Sequence, residues 1–111
     1  EDRVAVLAMG DGSACRTEKA PGYLDDRSID FDNSVADALT AVDAATLMNL
    51  DQQLATELLV AGRYVWPIAA RIVETDSGNW RGELRYRDDP YGVSYFVALW
   101  TSVGIPSTTG P

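Results

Sequence analysis

The run VSYFVALW, residues 93–100, constrains the fold of this 111-residue chain more than any other segment. Its apolar side chains fall on both faces of an extended strand, which is typical of a strand in the centre of a sheet. The segment before it, GELRYRD, alternates apolar with charged residues and therefore predicts a half-exposed strand near a sheet edge. Because the turn sequence DPYG joins the two segments, we expect a C-terminal antiparallel hairpin.

A second apolar run, RVAVLAM at residues 3–9, stops at Gly10. Its pattern predicts an N-terminal strand that is buried on both faces of a parallel sheet. Between this strand and the hairpin, helical periodicity predicts a cluster of helices in IDFDNSVADALTAV, AATLMNL, QQLATELLVAG and RYVWPIAARIVE. The sequence thus predicts an α/β fold, with a mixed sheet, a buried N-terminal strand, a helical cluster and a C-terminal antiparallel hairpin.

The predicted helix boundaries rest on capping residues. Asp30, Asp43 and Asp51 precede apolar periodic segments and are expected to be N-caps. Gly62 is expected to end the third helical segment, and Pro67 fits the first turn of the last one.

The domain organisation has two interpretations. Residues 1–111 form either a single domain or the C-terminal half of a larger α/β domain, since a strand buried on both faces needs neighbours on both sides. Residues 104–111 are rich in Pro, Gly, Ser and Thr, a composition that predicts a loose tail.

Composition narrows the classes of function. The chain contains no histidine, which removes the commonest general base near neutral pH and the commonest transition-metal ligand. The net charge of −8 disfavours nucleic acid and anionic membrane surfaces as partners. The one cysteine, Cys15, allows no internal disulfide and leads us to expect a cytoplasmic protein.

The loop sequence MGDGSACRTEKAPGYLD, residues 9–25, concentrates the residues that could carry chemistry. Its glycines lack the spacing of a phosphate-binding loop or of a dinucleotide fingerprint, so nucleotide binding is not predicted. Cys15 is either an activated nucleophile beside Arg16 or Lys19, or a small buried thiol, and the absence of histidine favours the thiol. The carboxylates of this region either bind a hard cation or form local ion pairs with its basic residues; they are Asp11, Glu18, Asp25 and Asp26.

Three segments carry a family resemblance. These are RVAVLAMGDGSACRTEKAPGYLDDRSIDFDNSVADAL, LMNLDQQLATELLVAGRYVWPIAA and YGVSYFVALW, with GDGSA and EKAPGYLD as the most specific parts. The chain resembles the C-terminal half of the class III extradiol ring-cleavage dioxygenase superfamily, which includes Memo-like proteins. Within that superfamily it is most similar to a small actinobacterial, dioxygenase-like branch.

The resemblance implies where an active site would lie. Active members end a strand in an Asp-x-Ser-His turn, whose histidine acts as acid and base beside an Fe(II) held by two histidines and a glutamate. Asp11 and Ser13 match this turn, and Ala14 occupies the place of the catalytic histidine. The iron-binding histidines belong to the N-terminal half in such proteins, and the glutamate position falls at residues 61–63, where no carboxylate stands; Glu57, about a turn away, is the remaining metal-ligand candidate.

Three functions follow as expectations. The first is a non-catalytic protein that binds a small molecule, with pocket candidates Asp11, Ser13, Arg16, Glu18, Lys19 and Tyr23. The second is an active oxidoreductase whose Fe(II), or another divalent metal, is bound by histidines of an N-terminal half. The third is an interaction or scaffold module. The expected partners are an N-terminal half of the same protein, or another copy of the chain, and a small-molecule ligand.

Overall fold

A three-stranded antiparallel sheet with helices packed on one face forms the α/β fold seen in the computed structural model, which describes residues 5–76 and 79–104. In chain order the elements are β1 (Ala5–Asp11), α1 (Arg27–Ala41), α2 (Ala44–Met48), α3 (Gln52–Glu57), a 3₁₀ turn (Ala61–Tyr64), α4 (Trp66–Thr75), β2 (Asn79–Asp88) and β3 (Tyr95–Gly104). The α/β class, the helical cluster and the C-terminal hairpin are confirmed. No helix in the described ranges is long and apolar enough to cross a bilayer.

The sheet has the order β1-β3-β2, so β3 is its central strand, as VSYFVALW predicts. Both neighbours pair antiparallel with β3, with Gly10 of β1 opposite Phe96 and Gly82 of β2 opposite Trp100. The DPYG turn is also confirmed, because the Gly92 N–H donates to the Asp89 carbonyl and Gly92 has a φ of +78°.

Among the described residues, helices cover one face of the sheet and leave the other uncovered. Phe96, Ala98 and Trp100 of β3 are buried on that face, and the Trp100 indole N–H donates to the Leu39 carbonyl of α1. Tyr95, Val97 and Leu99, which alternate with them along β3, are only half-buried. The core therefore lies between one sheet face and the helical layer.

The expected burial of β1 on both faces of a parallel sheet is wrong. This strand is antiparallel to β3 and forms a sheet edge within the described residues, with Leu7 and Met9 exposed by 56% and 60%. The physical reason is that a continuous apolar run shows only that both faces avoid water. It does not determine strand direction, nor whether the second face is covered by the same chain.

Two of the predicted caps are confirmed. The Asp43 carboxylate accepts from the Thr46 N–H at the start of α2, and the Asp51 carboxylate accepts from the Leu54 N–H at the start of α3. The expectation for Asp30 is wrong, because α1 begins at Arg27 and places Asp30 inside its first turn.

Gly62 does not end the third helix. The helix α3 already stops at Glu57, and Gly62 lies in the 3₁₀ turn beneath the ring of Trp66. A β-carbon on Gly62 would overlap Trp66 Cζ2, and one on Gly10 would lie 2.7 Å from Trp66 Nε1. Glycine is thus required by close packing here rather than by a helix stop. The predicted tail at 104–111 falls outside the described residues beyond Gly104.

Candidate functional site

The loop between β1 and α1 is bound to the rest of the molecule by backbone hydrogen bonds. The Gly12 N–H donates to the Ser94 carbonyl, the Ser94 N–H donates to the Ser13 carbonyl, and the Arg16 N–H donates to the Gly92 carbonyl. These bonds hold the first half of the loop against the β2–β3 turn. The loop therefore has a defined conformation at the C-terminal end of β1.

A buried carboxylate, Asp32 of α1, lies under this junction. It is fully buried and accepts hydrogen bonds from the Ser13 N–H, from the Ser13 hydroxyl at 2.6 Å and from the Ser94 hydroxyl. The Arg16 guanidinium completes the set with Nη1 3.2 Å from the carboxylate. Because an unpaired buried charge is very unfavourable, these donors are what allow Asp32 to stay in the core. We call Ser13, Arg16, Asp32 and Ser94 the Asp32 cluster.

The Asp32 cluster depends on a close approach of the loop backbone. A β-carbon on Gly12 would lie 2.5 Å from the Phe96 ring and 2.7 Å from Asp32 Oδ1. Only glycine lets the loop pass between β3 and α1 at this point. Gly12 therefore has a packing role in this loop.

Two adjoining hollows open beside the Asp32 cluster. The first, which we call the Arg16 hollow, has a volume of about 190 Å³ and is lined by Arg16, Arg87, Asp88, Asp89 and Ser94. The second, the Tyr91 hollow, has a volume of about 510 Å³ and is lined by Thr17, Glu18, Lys19, Pro90, Tyr91 and Gly92. Both hollows are lined by the loop after β1 and by the residues of the β2–β3 turn.

Both walls of the Arg16 hollow are held in place by further contacts. Arg16 Nε lies 3.3 Å from an Asp89 carboxylate oxygen, and Arg16 Nη1 lies 3.4 Å from the Ser94 hydroxyl. Arg87 donates to Asn33 Oδ1, and its guanidinium carbon lies 5.7 Å from the centre of the Phe96 ring. The guanidinium groups are therefore oriented before any ligand arrives.

The pocket candidates separate into three groups. Ser13 and Arg16 meet in the Asp32 cluster, while Glu18 and Lys19 line the Tyr91 hollow. Asp11 ends β1 opposite Tyr95 and lines neither hollow. Tyr23 also lies outside both hollows, with a side chain exposed by 62% and a φ of +62°.

Ala14 is buried next to these groups. Its side chain is 6% exposed, its N–H donates to the Leu58 carbonyl, and its carbonyl accepts from the Gly22 N–H. Where the family resemblance expects a histidine, the chain therefore has a methyl group enclosed by the core, and this position offers no proton-transfer group.

Glu57, the metal-ligand candidate, is engaged by an arginine. The Arg27 guanidinium donates to Glu57 at 2.9 Å and to Asp25 at 2.7 Å, which links the end of the loop, α1 and α3. These bonds lower the pKa of Glu57, with a further contribution from Gln53, and lower the pKa of Asp25 to about 2. For Asp25, the ion-pair alternative is the one observed.

The residues present do not fit a bound iron. No group of three or more His, Cys, Asp or Glu side chains that could hold a metal ion occurs in the part of the chain that the structure describes. Two of the candidate carboxylates, Asp25 and Glu57, form ion pairs with Arg27 instead.

Cys15 is a buried thiol. Its side chain is 1% exposed, and its sulfur lies 3.5 Å from the Leu58 carbonyl oxygen. Burial raises the pKa of the thiol, with a further increase from the nearby Asp25 carboxylate. A raised pKa and an enclosed sulfur are the opposite of what an activated nucleophile requires.

Sequence reasoning missed Asp32, Ser94 and Arg87. One of the three left a signal: Asp32 lies on the buried side of α1, in line with Ser28, Val35 and Leu39. A carboxylate on the apolar face of a helix indicates a buried partner elsewhere. Ser94 and Arg87 left no comparable signal, because their roles depend on the β2–β3 turn folding over the loop.

Comparison with known protein families, with curated proteins and with solved structures finds no match to this chain.

Proposed function

We propose that the protein is a non-catalytic, cytoplasmic binding protein of the class III extradiol dioxygenase-like type, which holds a small polar ligand beside the Asp32 cluster. The observation that carries this proposal is the enclosed methyl group of Ala14 at the position of the acid and base histidine. With no histidine in the chain and no cluster of metal ligands among the described residues, this part of the molecule offers a pocket without the family's chemistry.

The lining of the two hollows supports a ligand with both acidic and hydroxyl groups. Arg16 and Arg87 offer hydrogen-bond donors, while Asp88 and Asp89 offer acceptors in the same small space. The Tyr91 hollow adds an aromatic and a proline surface against which a ring can pack, at a volume within the roughly 300–1,000 Å³ typical of ligand sites. A hydroxylated aromatic acid combines these features.

The experiment uses 3,4-dihydroxybenzoate as the probe, with the ¹⁵N-labelled protein observed by NMR. We expect saturable shifts at the amides of Arg16, Lys19 and Ser94, and no ring-opened product when Fe(II) and oxygen are supplied. The variant Arg87→Gln removes a donor from the Arg16 hollow and should weaken binding by about tenfold, the effect of losing one charge-assisted hydrogen bond.

The matched control is Arg85→Gln on the same strand. Arg85 pairs with Glu83 and lines neither hollow, so its replacement should leave the affinity unchanged. Ring opening that depends on the protein would overturn the non-catalytic assignment. Absence of saturable shifts at the hollow residues would overturn the assigned ligand class.

An interaction module is the second candidate function, and one observation favours it. Large apolar side chains are exposed along β1 and α4, away from the Arg16 hollow. An N-terminal half of the same protein, or another copy of the chain, are the partners that the sequence leads us to propose for such a surface.

A further inference from the structure

The β1 edge of the sheet is bordered by exposed apolar side chains on both sides. Leu7 and Met9 of β1 lie on the uncovered sheet face, and the others lie on or just before α4, in the helical layer. We call this surface the apolar edge; its members are exposed by 40–66% and are Leu7, Met9, Tyr64, Val65, Ile68 and Ile72. Groups of large exposed apolar side chains are typical of interaction sites.

The outer face of α4 is opposite to the side that packs against the molecule. Trp66, Ala69, Ala70 and Val73 form the buried side of α4, which contacts β1 and α2. Ile68 and Ile72, one helical turn apart, occupy the opposite side. A hollow of about 470 Å³ lies along this side, lined by Pro67, Ile68, Arg71, Ile72 and Thr75.

The backbone between these two apolar groups is also unpaired on one side. β1 is seven residues long and bonds only to β3 among the described strands. An edge strand of this length with no charged residue before Asp11 lacks the usual protection against pairing with another strand. A strand from another polypeptide would pair with the unbonded N–H and C=O groups of β1. The helices of that polypeptide would then cover α4.

The charge of the apolar edge favours a second copy of this chain as the occupant. The chain has a net charge of −8, so random contacts between two copies are repulsive. At this surface, however, the Arg63 guanidinium lies over the Tyr64 ring and Arg71 lines the same hollow as Ile68 and Ile72. These two basic side chains offset the carboxylate of Asp11 at the end of β1. Two copies can therefore approach through this surface without the repulsion that the rest of the molecule imposes.

Symmetry favours the same occupant. An antiparallel pair of identical strands has a two-fold axis, so each copy offers the surface that the other needs. Full overlap of the seven residues of β1 about Ala8 places Leu7 of one copy opposite Met9 of the second, which forms apolar cross-strand pairs. The resulting six-stranded sheet is antiparallel throughout, as the three-stranded one already is.

We propose that the protein forms a two-fold dimer through the apolar edge, with β1 paired antiparallel to β1 of a second copy and the outer faces of the two α4 helices in contact. The proposal does not depend on the ligand proposed above, because the Arg16 and Tyr91 hollows lie at the β2–β3 turn.

Sedimentation velocity of the full chain over a range of concentrations tests the dimer. We expect a species of twice the chain mass of 12.0 kDa. The double variant Ile68→Lys/Ile72→Lys should raise the dissociation constant of the dimer by at least about tenfold. The new lysines of one copy would face the same lysines of the second copy and repel them. Both isoleucines are exposed in the single chain, so the far-UV circular dichroism spectrum should not change. Should that spectrum change, Leu7→Lys replaces the double variant, since Leu7 is also exposed.

The control variant is Ile29→Lys, which changes an exposed residue of α1, the helix that packs against β2 at the other edge of the sheet, and should leave the mass distribution as it is. Hydrogen exchange adds a local readout: β1 amides should be protected in the dimer and exchange faster in the lysine variants. A monomer at every concentration would overturn the proposal and indicate an unlike polypeptide as the occupant. A dimer that survives the lysine substitutions on α4 or at Leu7 would also overturn it, since the interface would then lie elsewhere.

Discussion

A single carboxylate, that of Asp32, determines how the loop after β1 is attached. Moving a charged carboxylate out of water costs several kcal/mol after relaxation unless partners replace the lost hydration. Ser13, Arg16 and Ser94 provide those partners from the loop and from the residue preceding β3. The buried carboxylate therefore adds an ionic anchor to the backbone hydrogen bonds that hold the loop, and its loss should lower the stability of the fold.

Asp32→Asn should reduce the free energy of unfolding by about 3 kcal/mol, because it removes the charge that Arg16 compensates and introduces N–H donors among groups that already donate. Urea unfolding followed by tryptophan fluorescence measures the loss. Asp37→Asn is the control, since Asp37 is an exposed residue of the same helix and should change stability by less than about 0.5 kcal/mol. Equal effects of the two substitutions would refute the central role of Asp32.

At the scale of elements, the short helices depend on their first residues. The helices α2 and α3 have five and six residues, so neither completes enough internal hydrogen bonds to form on its own. Their N-caps, together with the burial of Leu47 in α2 and Ala55 in α3, hold them in place. This is why aspartates at positions 43 and 51 were informative in the sequence.

Asp51→Ala should lower the free energy of unfolding by about 1 kcal/mol, because the Leu54 N–H then loses its acceptor. The matched substitution is Asp26→Ala at the N-cap of α1, where the side chain makes no capping bond. We expect that variant to unfold at nearly the wild-type urea concentration. A cost for Asp26→Ala as large as that for Asp51→Ala would show that the capping bond is not the cause.

At the scale of the whole molecule, Trp66 connects the helical layer to the sheet. Its fully buried ring packs against Gly62 below it and against Gly10 of β1, and it meets the Phe96 ring edge-on with centroids 6.0 Å apart. The space left by two glycines is thus filled by the largest side chain of α4, and the packing of the two layers depends on all three residues.

Gly62→Ala should destabilise the protein by about 1–3 kcal/mol, because its new methyl group would overlap the Trp66 ring. In a Trp66→Phe background the same substitution should cost less, since the phenylalanine ring is smaller. Thermal or urea unfolding of the four proteins gives the coupling energy. Gly82→Ala, whose β-carbon would meet α1 instead, should cost the same in both backgrounds. Absence of coupling between positions 62 and 66 would contradict the packing described here.

The sequence by itself determined the kinds of element, their order and several of their caps. The period of the apolar residues depends on local backbone geometry, so the hairpin, the buried face of α1 and the capping of α2 and α3 could all be predicted. The absence of histidine is equally a property of the sequence alone, and it limits the chemistry of any site in this chain.

Only the tertiary structure decided which of these elements meet. Asp32 and Ser94 are 62 residues apart, and nothing local to either indicates the other. The direction and edge position of β1 likewise depend on pairing with β3 at the far end of the chain. The spacing of apolar residues along the chain indicates that a side chain is buried, but not which distant residue covers it. The sequence therefore showed which loop residues could bind or react. The Asp32 cluster and the apolar edge could be recognised only in the folded structure.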